Sequence, residues 1–222
     1  MSGVPEHLGL IVDGNRRWAS RRGLDLGLAY DHGADKAVEV LRWCDELGVR
    51  AVTLWLLSLA NFERATDQLG PLFSTITHGT RALAATRRWR IRPVGHLDRL
   101  PPPLAEALRE AERDTADVAG MRVFLAVAYG GRAEIVTAAR DLAAAGTPIT
   151  EAAISERLAA RGHLTPDLII RTAGEQRLSG FLLWQAVHSE LYFCRVPWPR
   201  LRRRHLVRAV RAYARRHRTF GT

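Results

Sequence analysis

Six strand-like apolar runs alternate with segments of helical spacing along the whole chain, and no other feature restricts the fold as strongly. The runs are 7–12 (HLGLIV), 50–58 (RAVTLWLLS), 89–94, 122–129 (RVFLAVAY), 167–171 (DLIIR) and 191–193. Short continuous apolar runs, as opposed to alternating ones, mark strands buried on both faces, as in a parallel sheet. Helical patterns fill the intervals at about 34–47, 67–88, 103–116, 133–145, 150–160 and 180–187, and a basic amphipathic helix follows at 200–217. Gly48 reads as the end signal of the first and Thr150 as an N-cap, while Gly70-Pro71 interrupts the second near its start. Strands joined through helices predict an α/β fold, a central, mostly parallel six-stranded sheet flanked by helices, formed as one domain over residues 1–222.

Composition narrows the function classes. With 47% hydrophobic and 25% charged residues, the 222-residue chain is ordinary for a globular core and excludes a disordered or fibrous protein. Cys44 and Cys194 are too few for a disulfide framework and stand in no metal-ligand spacing. The start has no signal-like apolar core and no run approaches a membrane span, so a reducing, cytoplasmic setting is expected. The net charge of +10 is lopsided: after Glu190 there is no acid, yet ten arginines follow. Without those ten, the 33 basic residues fall to 23, equal to the 23 acids. Such a tail is either a solvated helix face or a surface for acidic lipid or phosphorylated molecules. It lacks the interleaved aromatics of a nucleic-acid-binding module, and no nucleic-acid partner is expected.

In parallel sheets, ligands bind beyond the carboxyl ends of the strands. Those ends carry Asp13-Gly14-Asn15-Arg16-Arg17-Trp18, the stretch 58–64 (SLANFER), Gly130-Gly131-Arg132, and 171–179 (RTAGEQRLS). Glycines allow close backbone approach, and arginine forks match phosphate oxygens. The set describes a diphosphate site beside a carboxylate, Asp13, able to hold a divalent metal. The plainer reading of Asp13 is a helix N-cap, of Ser58 a strand-end cap, and of Glu190 a solvent-facing charge. No GxxxxGK[ST] and no GxGxxG after a strand is present, which argues against a nucleoside-triphosphate or dinucleotide enzyme.

The DGNRRW block, 58–64, RTAGEQRLSGFLLWQ at 171–185, SELYF at 189–193 and the closing 216–221 segment together resemble the signature blocks of the cis-prenyltransferases, the family of undecaprenyl diphosphate synthase and the short-chain Z-farnesyl diphosphate synthases. The blocks run in the family's order over nearly the whole chain. The resemblance implies a homodimer with an apolar prenyl tunnel, and Mg2+-assisted transfer from an allylic diphosphate to isopentenyl diphosphate. It implies that Asp13 holds the metal and promotes departure of diphosphate, with Glu190 as a second metal carboxylate. Gly14, Asn15, Arg16, Arg17 and Trp18 would cradle the allylic diphosphate, with Tyr30, Phe62 and Arg64 completing the substrate-binding set. Arg171, Arg177 and Ser179 would bind isopentenyl diphosphate, and Ser58 and Asn61 would belong to the catalytic group, Asn61 assisting proton removal.

Several positions depart from the family's pattern: Leu26 for an arginine, Tyr30 for a histidine, Ala60 and Gln68 for glutamates, Gln176 for a histidine and Arg200 for an aspartate. Leu56 stands where long-chain members carry a small residue facing the tunnel, so a short product of about ten to fifteen carbons is expected. Leu56 could equally be plain core. Ala60 and Tyr30 also resemble irregular members of the lavandulyl type, which couple two dimethylallyl diphosphates. The arginine-rich tail suggests peripheral contact with acidic membrane, where a prenyl product would partition.

Overall fold

The structure is a computed structural model and describes residues 3–63, 66–160 and 165–216. Its strands are β1 (His7–Ile11), β2 (Ala51–Trp55), β3 (Arg90–Val94), β4 (Arg122–Ala126), β5 (Leu168–Arg171) and β6 (Glu190–Phe193). They form one sheet in the order β3-β4-β2-β1-β5-β6, with all five pairings parallel. The helices are α1 (Asn15–Ser20), α2 (Leu26–Glu46), α3 (Thr66–Ala85), α4 (Pro102–Asp114), α5 (Gly131–Ala144), α6 (Glu151–Ala160) and α7 (Arg203–Ala214).

Period-two alternation divides the strand side chains between two cores. Leu8, Leu10, Val52, Leu54, Val123, Leu125, Leu168 and Ile170 face a cluster that also holds Val40 and Leu41 of α2, Ile76 of α3, Leu108 of α4 and Leu206 of α7. Ile11, Trp55, Phe124 and Ile169 face the other side, against Tyr129, Phe181 and Leu182. Ala138 and Leu142 of α5 and Ile154 and Leu158 of α6 make a smaller third cluster. Both faces of the inner strands β1, β2, β4 and β5 are covered, which is why they read as near-continuous apolar runs, while the edge strands β3 and β6 are partly exposed.

Local signals hold at several boundaries. Gly48 follows the C-cap of α2 at φ 86°, with Val49 N–H reaching Cys44 O at 3.0 Å and Gly48 N–H reaching Asp45 O at 3.0 Å. This is the left-handed glycine stop expected there. Thr150 Oγ1 accepts from Ala153 N–H at 3.1 Å and caps α6.

Elsewhere the structure corrects the reading. Helix α2 starts at Leu26, eight residues before the expected 34, capped by Asp25, whose Oδ1 accepts from Gly27 N–H at 2.7 Å. Its first two turns serve the site as well as the core: Tyr30 belongs to the buried cluster and also lines the cavities, and Gly33 lines one of them. α3 runs through Gly70-Pro71 unbroken, since a proline this near the start removes only an early hydrogen bond. The helix expected at 180–187 is a series of turns, and Ser179, Gly180 and Leu182 all have positive φ (52°, 96° and 45°). Residues 15–20, to which the apolar pattern assigns no element, form the short helix α1.

Candidate active site

β1 sends the chain to β2 on one side, while β5 closes against its other side, so the crevice past the ends of β1 and β5 is the topological switch point of the sheet. Asp13 follows β1, and Arg171 is the last residue of β5, in register with Ile11. The Arg171 Nε and Nη2 groups donate to Asp13 Oδ2 at 2.9 and 2.7 Å. Its Nη1 donates to Ser179 Oγ at 2.8 Å and to the carbonyl of Arg177. Four of the five guanidinium N–H groups are thus engaged. Arg171, its side chain 6% exposed, holds Asp13 and the 177–179 loop in place and keeps little capacity to grip a second ligand.

The Asp13 carbonyl accepts from Thr172 Oγ1 at 2.8 Å and from Trp198 N–H at 2.9 Å, so both ends of the residue are fixed. The carboxylate's other oxygen, Oδ1, has no hydrogen-bond partner among the described residues. Asp13 therefore does not cap α1, whose N-cap is Gly14 without a side-chain bond. Gly14 sits at φ 104°, and a Cβ there would lie 2.8 Å from Pro197 Cβ and 2.9 Å from Ala173 Cβ. Only glycine fits this turn.

An open cleft of about 900 Å³ lies over this pair. Asp13, Gly14, Asn15, Arg16, Arg17, Tyr30, Leu56, Ser58, Asn61, Arg171 and Ser179 all line it. Four arginines face it against one carboxylate, because Arg21 joins Arg16, Arg17 and Arg171. Arg21 was missed by the sequence reading. The signal was its i,i+4 spacing from Arg17, which counts only once 15–20 is known to be helical. Arg21 enters beside Leu26, which also lines the cleft where the family pattern has an arginine.

Arg17 Nη1 pairs with Glu175 Oε1 at 3.0 Å and Arg177 Nη1 with Glu175 Oε2 at 2.6 Å. Arg177 chiefly holds the Glu175 carboxyl below the usual carboxylate range, with smaller help from Arg17 and Arg171. Exposed pairs of this kind contribute little and exchange readily for a doubly charged ligand. The intervening loop holds Ala173 at φ 67° and Ser179 at φ 52°, a concentration of left-handed residues typical of ligand-binding turns.

Not every expected residue reaches the cleft. Trp18 packs edge-on to His32 at 5.4 Å with Arg22 over its ring, and Phe62 packs beside Phe73 at 6.0 Å. Neither lines the cleft, and nor does Arg177. Arg64, the Gln68 side chain and segment 217–221 lie outside the described residues. Asn61 Oδ1 accepts from Ser58 N–H at 3.1 Å, which leaves its Nδ2 to act as a donor. Ala60, Gln176 and Arg200 are exposed.

Glu190 opens β6 in register with Leu168, while Asp13 lies past the Arg171 end of the same ladder. The two carboxylates stand at opposite ends of the strands, more than about 10 Å apart along them. Within one chain Glu190 pairs with Arg216 and does not meet Asp13.

A bulge re-aims Leu57, while Leu56 keeps the side that Val52 and Leu54 take. The N–H groups of Leu56 and Leu57 both reach Ala126 O, at 3.0 and 3.3 Å, before pairing resumes at Ser58 and Tyr129. Both leucines consequently face the α2–α3 side of the sheet. A second, apolar cavity of about 70 Å³ runs between the sheet, α2 and α3. It shares Val12, Asn15, Tyr30, Leu56 and Leu72 with the cleft.

These features define an α/β protein whose arginine-lined cleft shares a wall with an apolar cavity, a pairing suited to a ligand with a charged head and a hydrocarbon tail. The family described as "Putative undecaprenyl diphosphate synthase" matches residues 11–221. A (2Z,6E)-farnesyl diphosphate synthase of Thermobifida fusca is 48% identical over 98% of this chain and 90% of its own. An isoprenyl transferase of Streptomyces avermitilis is 49% identical over 98% and 89%. The crystal structure of lavandulyl diphosphate synthase from Lavandula x intermedia with dimethylallyl diphosphate superposes over the full length of both chains, with TM-score 0.93 and 33% identity. The chain belongs to the undecaprenyl diphosphate synthase-like family of cis-prenyltransferases.

That family generally uses Mg2+. Among the described residues no three His, Cys, Asp or Glu side chains gather as a metal cluster. The donor set nevertheless fits this ion, because Mg2+ is commonly held by one or two carboxylates with substrate phosphates and waters completing its shell. Asp13 Oδ1 is such a carboxylate oxygen. No helix among the described residues is long and apolar enough to cross a membrane.

Proposed function

We propose that the protein condenses isopentenyl diphosphate with an allylic diphosphate to give a short product of about ten to fifteen carbons with a new Z double bond. The observation that carries this reading is the shared wall of the arginine-lined cleft and the apolar cavity, formed by Tyr30, Leu56 and Leu72. Gly14, Asn15, Arg16, Arg17 and Arg21 take the allylic diphosphate, and the tail enters the cavity, which is the start of a prenyl tunnel. Asp13, oriented by Arg171, holds Mg2+ through Oδ1. The bound ion supplies Lewis-acid assistance to the departing diphosphate. Ser179 on the cleft wall and Arg177, from the exposed loop beside the cleft, bind the isopentenyl diphosphate, and Asn61 Nδ2 orients it for loss of its proton.

The site acts in a single domain and as a homodimer, because Glu190 can serve a metal at Asp13 only when it comes from a second copy. Cys44 and Cys194 are free and buried, in keeping with the cytoplasm. Purified protein with Mg2+, isopentenyl diphosphate and dimethylallyl or geranyl diphosphate is expected to release C10–C15 prenyl diphosphates while sedimenting as two chains. No consumption of isopentenyl diphosphate overturns the reading, and a fully active single chain removes the second copy. Ala60 and Tyr30 favour one alternative, coupling of two dimethylallyl diphosphates. A product formed from dimethylallyl diphosphate alone selects it.

The proposal extends to the membrane through α7. Arg200, Arg202, Arg204, Arg208, Arg211 and Arg215 are exposed and make no ion pair among the described residues, while Arg203 reaches Glu46 at 3.5 Å. His205 within this patch is held below its ordinary pKa, first by desolvation and then by Arg204, Arg208 and Arg202. Each such arginine near an anionic surface contributes about 1 kcal/mol. Vesicles containing anionic phospholipid are expected to float the protein, with recovery falling as salt rises. Equal recovery on neutral vesicles removes this contact.

A further inference from the structure

The 70 Å³ cavity is walled mainly by aliphatic carbon, but Thr80 of α3 lines it as well. The residue is 2% exposed, and its Oγ1 is buried with no hydrogen-bond partner among the described residues. Helical threonines normally avoid this by bonding back along the helix. Thr77 and Thr137 do so, donating to Phe73 O and Ala133 O at 2.8 Å each, and Thr75 donates to Asp31 at 2.7 Å. Thr80 does none of these. The cavity is the space beside it that can hold a partner, and 70 Å³ admits a water or two. Along α3, Thr80 lies eight residues, about 12 Å, from Leu72, which lines both the cavity and the cleft.

We propose that Thr80 limits product length by polarity: its hydroxyl is hydrated while the growing tail is short and is stripped of that water when hydrocarbon reaches its level. The inference rests on the prenyl-transfer reading above and adds a second determinant to Leu56, one that works without filling space. A hydroxyl buried without a partner disfavours the state that buries it by on the order of tenfold. The next-longer chain therefore binds, and is made, that much less.

Thr80→Val matches threonine in shape and lacks the hydroxyl, whereas Thr80→Ser keeps the hydroxyl and loses the methyl. Two readouts are taken on the full-length protein: the product-length distribution, and calorimetric affinity for a graded series of saturated alkyl diphosphates, which needs no turnover. Thr80→Val is expected to raise the ratio of next-longer to wild-type-length product roughly tenfold, and to extend the length at which affinity stops rising. Thr80→Ser is expected to leave both near wild type. A Thr80→Val profile within twofold of wild type overturns the proposal, since the hydroxyl then simply turns back to the Ile76 carbonyl. An equal shift in both variants also overturns it, because space and not polarity is then the cause. Wild-type protein that binds the alkyl series with this length profile yet transfers no prenyl group sinks the catalytic reading alone. Failure to bind any of the series sinks both.

Discussion

Asp13→Asn is expected to lower kcat by about 10³-fold with the fold intact. Asparagine keeps the size of the side chain and an oxygen that can accept from Arg171, but removes the charge that faces the cleft. A metal-assisted leaving group draws several kcal/mol of transition-state stabilisation from its site, and about 4 kcal/mol corresponds to 10³ in rate. Asp13→Ala is a poorer probe. It strands the Arg171 guanidinium, whose side chain is 6% exposed, and breaking such a pair is destabilising. Because the Asp13 side chain is 36% exposed, the cost sits at the low end, about 3 kcal/mol. Steady-state rates with a thermal melt of each variant separate the two effects. Turnover of Asp13→Asn within tenfold of wild type would remove the carboxylate from the chemistry.

Leu56→Ala is expected to lengthen the longest product by at least one isoprene unit. Strand alternation from Leu54 puts Leu56 on the wall shared by the cleft and the apolar cavity. A cavity of about 150 Å³ is what accommodates benzene in a protein core, so the existing 70 Å³ leaves less than one unit of room beyond the cleft. Truncating leucine removes three carbons from the narrowest shared wall. Leu56 is only half-buried and borders solvent, so the stability cost falls near the low end of the Leu→Ala range, about 2 kcal/mol. Mass spectrometry of the products decides the matter. An unchanged distribution would show that Leu56 is core and nothing more.

Leu56 and Thr80 differ in how visible they are. A leucine in a strand that runs into SLANFER can be compared position by position with related chains, and its bulk argues directly for a short tunnel. Nothing about a threonine in a helix marks it as unusual. Its burial without a partner exists only because α3 packs where it does, and three other threonines of this chain find partners in comparable settings. Arg21 is a similar case, since its place in the cleft depends on 15–20 being helical, and a six-residue helix is too short to show a period.

What the sequence determined by itself is whatever short-range chemistry decides: six strands, the inner ones buried and read from apolar runs, the glycine stop at Gly48, the cap at Thr150, and the Gly14 turn beside a carboxylate. Tertiary structure alone decided how distant residues meet. The bond from Arg171 to Asp13 spans 158 positions, and it fixes the side of the carboxylate that faces the cleft. The parallel register of β5 and β6 sends Glu190 to the far end of the sheet, although its sequence block adjoins the binding loop. Strand order and register follow from packing the whole apolar surface at once. No local pattern encodes them.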